Sequence, residues 1–467
     1  MHALRKYETL CVVVDVHEAL AGSWPAEDGG PTRRQSVSGS ALGGAIRQRQ
    51  PLGVTSREVF GANMLVIDAA GRCFLQGNSL GGPNTIGWVE QIDPITLETL
   101  LRSPDLPGGQ YWAGGLLAHA NGALIVTYSQ WCHRLDPVTL EICAARHLPR
   151  PRPYNSLVAF PSGHVAMKDF DADGAIPASI SVLDPCDLSS VCAEVTLPEA
   201  SIARLSADVN TLYVVGTHSV FRLLWNPAAL TLELDLDWSP RYRTLEGQTY
   251  GWDPVIAAGS LWFLDNGEGT ERFAGTFRGR GTATAPLHLV RVPLDGAPLD
   301  GAVVTLTEIC GLPGGLIANP PIADESRQIV VGYDSGNGVV AGFRFEQDPS
   351  VALSLMWRRD FDHGAHMLMW PDDGVVMVGD HRDGIDHAVF LDIETGEELA
   401  RAETASPLQS VLFPAAGMHA DVYLCSHTTL SRVSRIAGID ASHRTTTATA
   451  TIADTPSPGG HDDTHLG

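Results

Sequence analysis

Gln91-Ile92-Asp93-Pro94-Ile95-Thr96-Leu97-Glu98 returns 43 residues later as Arg134-Leu135-Asp136-Pro137-Val138-Thr139-Leu140-Glu141. After 48 more residues it returns as Val182-Leu183-Asp184-Pro185-Cys186-Asp187-Leu188. Weaker copies stand at Trp225-Asn226-Pro227, Leu294-Asp295-Gly296, Gln347-Asp348-Pro349 and Leu391-Asp392-Ile393-Glu394-Thr395-Gly396. An Asp whose carboxylate bonds the backbone just ahead, followed by a Pro with preset φ, is tight-turn chemistry between two strands. Upstream of each copy runs a short apolar strand, a Gly- or Asp-rich turn, and a stronger apolar strand. Examples are Met64–Ile67 then Cys73–Gln76, Leu116–Ala118 then Ala123–Tyr128, and Met367–Trp370 then Val375–Val378.

Eight such units fit the chain at a period near 45, and helical periodicity is almost absent. Four strands per unit, repeated without helices, predict an all-β fold: a β-propeller of eight four-stranded blades, with seven as the alternative. One blade cannot bury both faces alone, so each packs on its neighbours around a channel. The eighth unit shows three strands before the chain turns polar, and the apolar run Thr9–Val14 is the spare strand expected to close the ring. The expected layout is therefore 1–18 as the closing strand, 19–56 as a crossing linker, 57–440 as the propeller and 441–467 as a disordered tail. Residues 267–285 form a long insertion in the fifth unit and read as a lid or binding loop.

With 44% hydrophobic and 18% charged residues, the chain has enough apolar material for a large core. A net charge of −23 argues against nucleic acid or an anionic membrane as partner. No apolar run approaches the ~18 residues of a membrane span, and Leu10 to Val14 is too short for a signal core of about 7–15 residues. The expected location is cytoplasmic, with the eight cysteines read as buried free thiols. Of 31 basic residues only Lys6 and Lys168 are lysine. A G-x-S-x-G elbow, a phosphate-binding loop and an H-E-x-x-H motif are all missing from the sequence.

Over about residues 60–440 these strand and turn repeats resemble the quinoprotein-like and YVTN-like β-propeller superfamily. The resemblance implies the architecture. The chain lacks the Trp-Asp endings of WD repeats and the adjacent Cys-Cys pair of quinoprotein alcohol dehydrogenases, which argues against a quinone cofactor.

Aligning the units places two polar rings at one mouth of the channel. Second strands end at Asn78, Ser129, Asp169, His218, Asn266, Asp334, His381 and His427; first strands start at Asn63, Gly114, Asn155, Arg204, Asp253, Asn319, His366 and Gln409. Turns favour Asn, Asp, Gly and Ser, but have no special need for His. The expected function is an enzyme acting on a small organic molecule, a hydrolase, lyase or isomerase, with a protein-binding scaffold as the alternative. His381 or Lys168 would pair with Asp253, Asp334 or Asp380 as acid and base. Asn63, Trp112, Asn155, Arg204, Trp252, Asn266 and Asn319 would bind the substrate. His366, His381 and His427 form a candidate site for Zn, Fe or Mn.

Overall fold

The computed structural model describes residues 19–79, 85–109, 114–171, 173–267, 279, 281–295, 304–317, 319–362, 366–407 and 413–436. Within them eight antiparallel sheets of consecutive strands form the ring of a β-propeller. Blade 1 runs Ala62–Ile67, Cys73–Asn78, Thr85–Ile92 and Thr99–Arg102, with the short strand Leu106–Gly109 also pairing Thr85–Ile92. The first, innermost strands of blades 2 to 8 are Gly115–Ala118, Tyr154–Ala159, Ser206–Asp208, Val255–Ala257, Ile322–Asp324, Leu368–Trp370 and Ala415–Ala416.

The repeated turn forms as its chemistry dictates. Asp93 Oδ1 accepts from the Ile95 and Thr96 amides at 2.8 Å each, and Asp136 Oδ1 accepts from those of Val138 and Thr139 at 2.7 and 3.0 Å. Asp392 repeats the pattern at Glu394 and Thr395, 2.8 Å each. These amide bonds hold the Asp93 carboxyl below its ordinary pKa. The residue that ends the turn is left-handed: Leu97, Leu140 and Leu188 have φ of 65°, 55° and 63°, and Gly396 takes the same role at 67°. Leu97, Leu140 and Leu188 are all buried, so their packing offsets the strain of a left-handed leucine.

Ring closure comes from the N-terminal side; Thr9–Val14, the strand expected there, lies outside the described residues. Leu52–Glu58 is the outermost strand of blade 8, paired antiparallel with Thr429–Arg435 in unbroken register from Leu52↔Arg435 to Glu58↔Thr429. That position in the sheet is therefore filled. The tail 441–467 also lies outside the described residues, as do residues 268–278 of the expected lid.

Residues 19–56, expected to be a linker, are built into the ring. Their first half is a strap across the channel end where the inner strands finish. The Trp24 amide donates to Ile67 O and the Ile67 amide to Trp24 O; Ala118 donates to Pro25 O. Farther along, Ala207 donates to Pro31 O, Ile256 to Thr32 O and Met369 to Gln35 O. One extended segment thus satisfies inner backbone groups of blades 1, 2, 4, 5 and 7. The helix Ala41–Arg47, with Ser40 Oγ accepting from the Leu42 amide, then buries Leu42 and Ile46 in the core shared by blades 7, 8 and 1. Among the described cysteines six are free, and of these Cys73, Cys132 and Cys425 are buried while Cys143 is exposed.

At Gly22 (φ 150°) a Cβ would lie 1.9 Å from Ile67 O, so no side chain fits while the strap lies against blade 1. Gly22→Ala is expected to cost about 2 kcal/mol or more of stability, read as a lower urea midpoint. A second expectation concerns acid. Burial lowers His133 and His427 to about 4, and both His133 ring nitrogens lack hydrogen-bond partners. Between pH 6.5 and 4 the unfolded chain then holds protons that the folded one does not, so stability is full above about pH 6.5 and falls with pH. From pH 7 to 5 each histidine should cost about 2 kcal/mol. His133→Phe is expected to flatten that slope in urea titrations at several pH values, and an unchanged slope would refute the assignment.

Candidate functional site

The strap carries charge into the channel. Arg33 sits 2% exposed, its Nη2 2.9 Å from Glu27 Oε2, its Nη1 2.9 Å from Asp28 Oδ2, and its Nε donating to Leu205 O at 2.6 Å. Arg204, from the approach to blade 4, reaches the same Glu27 Oε2 at 2.8 Å and donates to Gly114 O at 2.7 Å. Its guanidinium stacks over Phe413 at 4.5 Å, and the His366 ring lies 4.5 Å from the same Phe413. His366 Nδ1 is 3.4 Å from Asp28 Oδ1. Burial alone would raise Asp28, but His366 and Arg33 outweigh it and hold the carboxyl below its usual range. Glu27, Asp28, Arg33 and Phe413 escaped the sequence reading; the only signal was a Glu-Asp pair and an Arg-Arg pair inside a segment otherwise rich in Gly and Ser.

Residues 201–205 lead into blade 4 outside any strand, and side chains from elsewhere satisfy their backbone. Lys168 Nζ donates to Ser201 O at 2.9 Å, and Asn155 Nδ2 to Ile202 O at 3.2 Å. The Arg204 amide donates to Asp253 Oδ1 at 2.6 Å, and the Leu205 amide to Ser156 Oγ at 2.8 Å. The structure therefore does gather Lys168, Asn155, Arg204 and Asp253, around one short stretch of chain. All four are buried. Burial lowers Lys168 to about 7 against the opposing charges of Asp169 and Asp253. Lys168 makes no ion pair within 4.0 Å among the described residues, because Asp169 is bonded to Arg152 and Asp253 lies beside Arg204.

Several polar atoms in this region are buried without a hydrogen bond: both side-chain atoms of Asn63, Gln76 Oε1, Glu27 Oε1, Asp253 Oδ2 and Asn319 Oδ1. Asn63 sits where the register of blade 1 shifts, between Ala62 and Met64. Native interiors leave few such atoms, and each one calls for a water, an ion or a ligand.

The remaining expected residues are spent elsewhere. Asp334 accepts from the Leu316 and Asn337 amides and from Asn337 Nδ2, which makes it a loop anchor. Asp380 is paired with Arg401 at 2.6 Å and Arg382 at 3.4 Å and accepts from the Asp362 amide. His381 contacts Pro407 O at 3.1 Å on a hairpin that extends past the inner strands. Trp252 packs in the core with Phe170, Ile202 and Tyr250, and Asn266 bonds Thr249 and Ala285 O. Trp112 and Gln409 lie outside the described residues. Among the described residues no three His, Cys, Asp or Glu side chains are grouped to hold an ion. His366 faces Asp28 and Phe413, His381 faces Pro407 O, and burial lowers the His427 ring to about 4. A cavity of about 380 Å³ lies between the strap and blades 3 and 4, walled by Leu20, Pro25, Pro31, Ala159, Pro161 and Val209 among others, with no titratable side chain.

No family model matches the chain, and comparison with curated proteins gives no match. Solved structures do match. The quinohemoprotein alcohol dehydrogenase from Comamonas testosteroni aligns with a TM-score of 0.60 at 12% identity, covering 88% of this chain and 80% of that one. A europium-containing methanol dehydrogenase aligns with 0.60 at 9% identity, over 86% and 89%. Chaetomium thermophilum Sqt1, bound to the N-terminus of ribosomal protein L10, aligns with 0.55 at 12% identity, over 81% and 97%. At such identities the likeness concerns fold alone, and it covers dehydrogenases and a structure bound to a ribosomal-protein segment alike: the chain has the architecture of an eight-bladed β-propeller and resembles the quinoprotein dehydrogenase structures in that fold.

Proposed function

We propose that this propeller acts on a small polar organic molecule in the channel sector of blades 3, 4 and 5, by acid–base chemistry of the hydrolase, lyase or isomerase kind. A cytoplasmic setting belongs to the same reading; no helix among the described residues is long and apolar enough to cross a membrane. The observation that carries it is that Lys168, buried without an ion pair among the described residues, and Asp253, whose Oδ2 accepts no hydrogen bond, both bond the same 201–204 stretch. A lysine lowered to about 7 can take or give a proton near neutral pH, and a carboxylate with one free oxygen can serve as its complement. Arg204, whose amide donates to Asp253 Oδ1 and whose Nε lies 3.8 Å from its Oδ2, supplies a cation beside it. The competing reading, a protein-binding scaffold, draws on the strap that fills the channel floor and on the likeness to Sqt1.

Turnover and ligand-induced thermal shift, screened over esters, lactones, hydroxy acids and sugar isomers, separate the two. A true substrate should lose about 10²-fold or more in kcat with Lys168→Gln, whose amide still donates to Ser201 O, and with Asp253→Asn. Turnover that survives both variants, or a screen with neither turnover nor shift, would leave the scaffold reading in its place.

A further inference from the structure

We propose that Lys168 is a covalent site: its amine forms an imine with a small aldehyde or ketone, which makes a carbonyl compound the ligand of the channel. The inference rests on the channel reading only for the route by which the ligand arrives.

The first support is the choice of residue. Wherever this chain needs a cation it uses Arg, with Lys6 and Lys168 the only exceptions among 31 basic residues. Arg is the better ion-pair partner and cannot lose its proton, whereas a buried lysine readily becomes a neutral amine. Lys168 is 0% exposed and gives one hydrogen bond, to Ser201 O, where an ammonium has three protons to place. The Phe170 ring lies 5.6 Å away, and the Asp169 and Asp253 carboxylates act on the amine from beyond ion-pair distance and favour its charged form. Burial outweighs them and shifts the group toward the neutral amine. Arg204 and Arg33 lie within electrostatic reach and also disfavour protonation.

The step balances without a further reagent. The Nζ lone pair attacks the carbonyl carbon, forming C–N as the C=O π pair moves to oxygen. Loss of the C–O bond then forms C=N, and both hydrogens of the departing water come from the amine. Asp253, whose Oδ2 accepts no hydrogen bond and stands 3.8 Å from Arg204 Nε, is the carboxylate the proposal assigns to carry those protons.

With two lysines, the chain is its own control. Native protein at pH 7 is treated with formaldehyde and sodium cyanoborohydride, and peptide mass spectrometry follows methylation of Lys6 and Lys168 over time, with circular dichroism confirming the fold. A lysine of ordinary pKa is almost wholly protonated at pH 7, so Lys168 should label at least about tenfold faster than Lys6. In urea the two rates should converge. Lys168 labelling slower than Lys6 in the native state, and catching up only in urea, would overturn the proposal and mark a sealed structural lysine. The two readings fail separately: turnover that depends on Asp253 with an inert Lys168 sinks the imine alone. A fast Lys168 with no turnover or ligand shift sinks the acid–base reading alone.

Discussion

At the axis of the ring the Arg33 guanidinium binds three groups at once: the Glu27 and Asp28 carboxylates on its own strap and the Leu205 carbonyl of blade 4. Blades splay apart toward the rim and crowd toward the axis, so the innermost strands have neighbours on one edge only and backbone groups facing the channel. The strap answers that demand in blades 1, 2, 4, 5 and 7 by pairing with them. A buried cation would be costly alone, and removing one partner of such a pair typically costs about 3–5 kcal/mol. Here every strong charge on the strap meets its opposite. Arg204 ties the same Glu27 to the mouth side of the ring, so floor and mouth are joined through one carboxylate.

What the sequence revealed follows from how local each signal is. The Asp-Pro turn needs contacts two or three residues apart, so its copies were visible and the blade count followed. The inner strands are short and mostly buried, most of them apolar, and their starts were readable to within a few residues. The strap was not readable. Its partners stand some 40 to more than 300 residues away, and it has no period because each residue meets a different blade. Closure went to Leu52–Glu58 for a related reason: an outermost strand exposes one face, as its partly exposed pattern shows, so it carries no apolar run to announce it.

The site residues divide along the same line. Sequence position located most of the described strand ends to within about three residues. It had no access to what each side chain would bind. His381 and Asp380 fall on a hairpin, Val375–Arg382 with Ile385–Asp392, that runs on past the three-residue inner strand of its blade. Their side chains meet Pro407 O, Arg382 and Arg401 at the rim instead of the axis. Lys168, Asn155 and Asp253 are drawn inward because the 201–205 stretch has no strand partner and must borrow donors and acceptors from blades 3 and 5.

That borrowing also sets how structure and chemistry share these residues. An amide at position 168 would satisfy Ser201 O at no electrostatic cost, and Asn155 does the equivalent service for Ile202 O one strand away. A lysine in the same position forces a choice: an ammonium buried with one acceptor, or a neutral amine. The chain has not supplied the carboxylate that would settle the matter, since Asp169 is committed to Arg152 and Asp253 turns one oxygen to the Arg204 amide. Asp380 and Asp334, by contrast, are fully spent, the first on two arginines and the second on three donors from nitrogen. A fold shared by proteins of unlike function cannot decide what this one does. The buried polar atoms left without hydrogen bonds, in Asn63, Gln76, Glu27, Asp253 and Asn319, are where the chain has placed a cost that packing alone does not require.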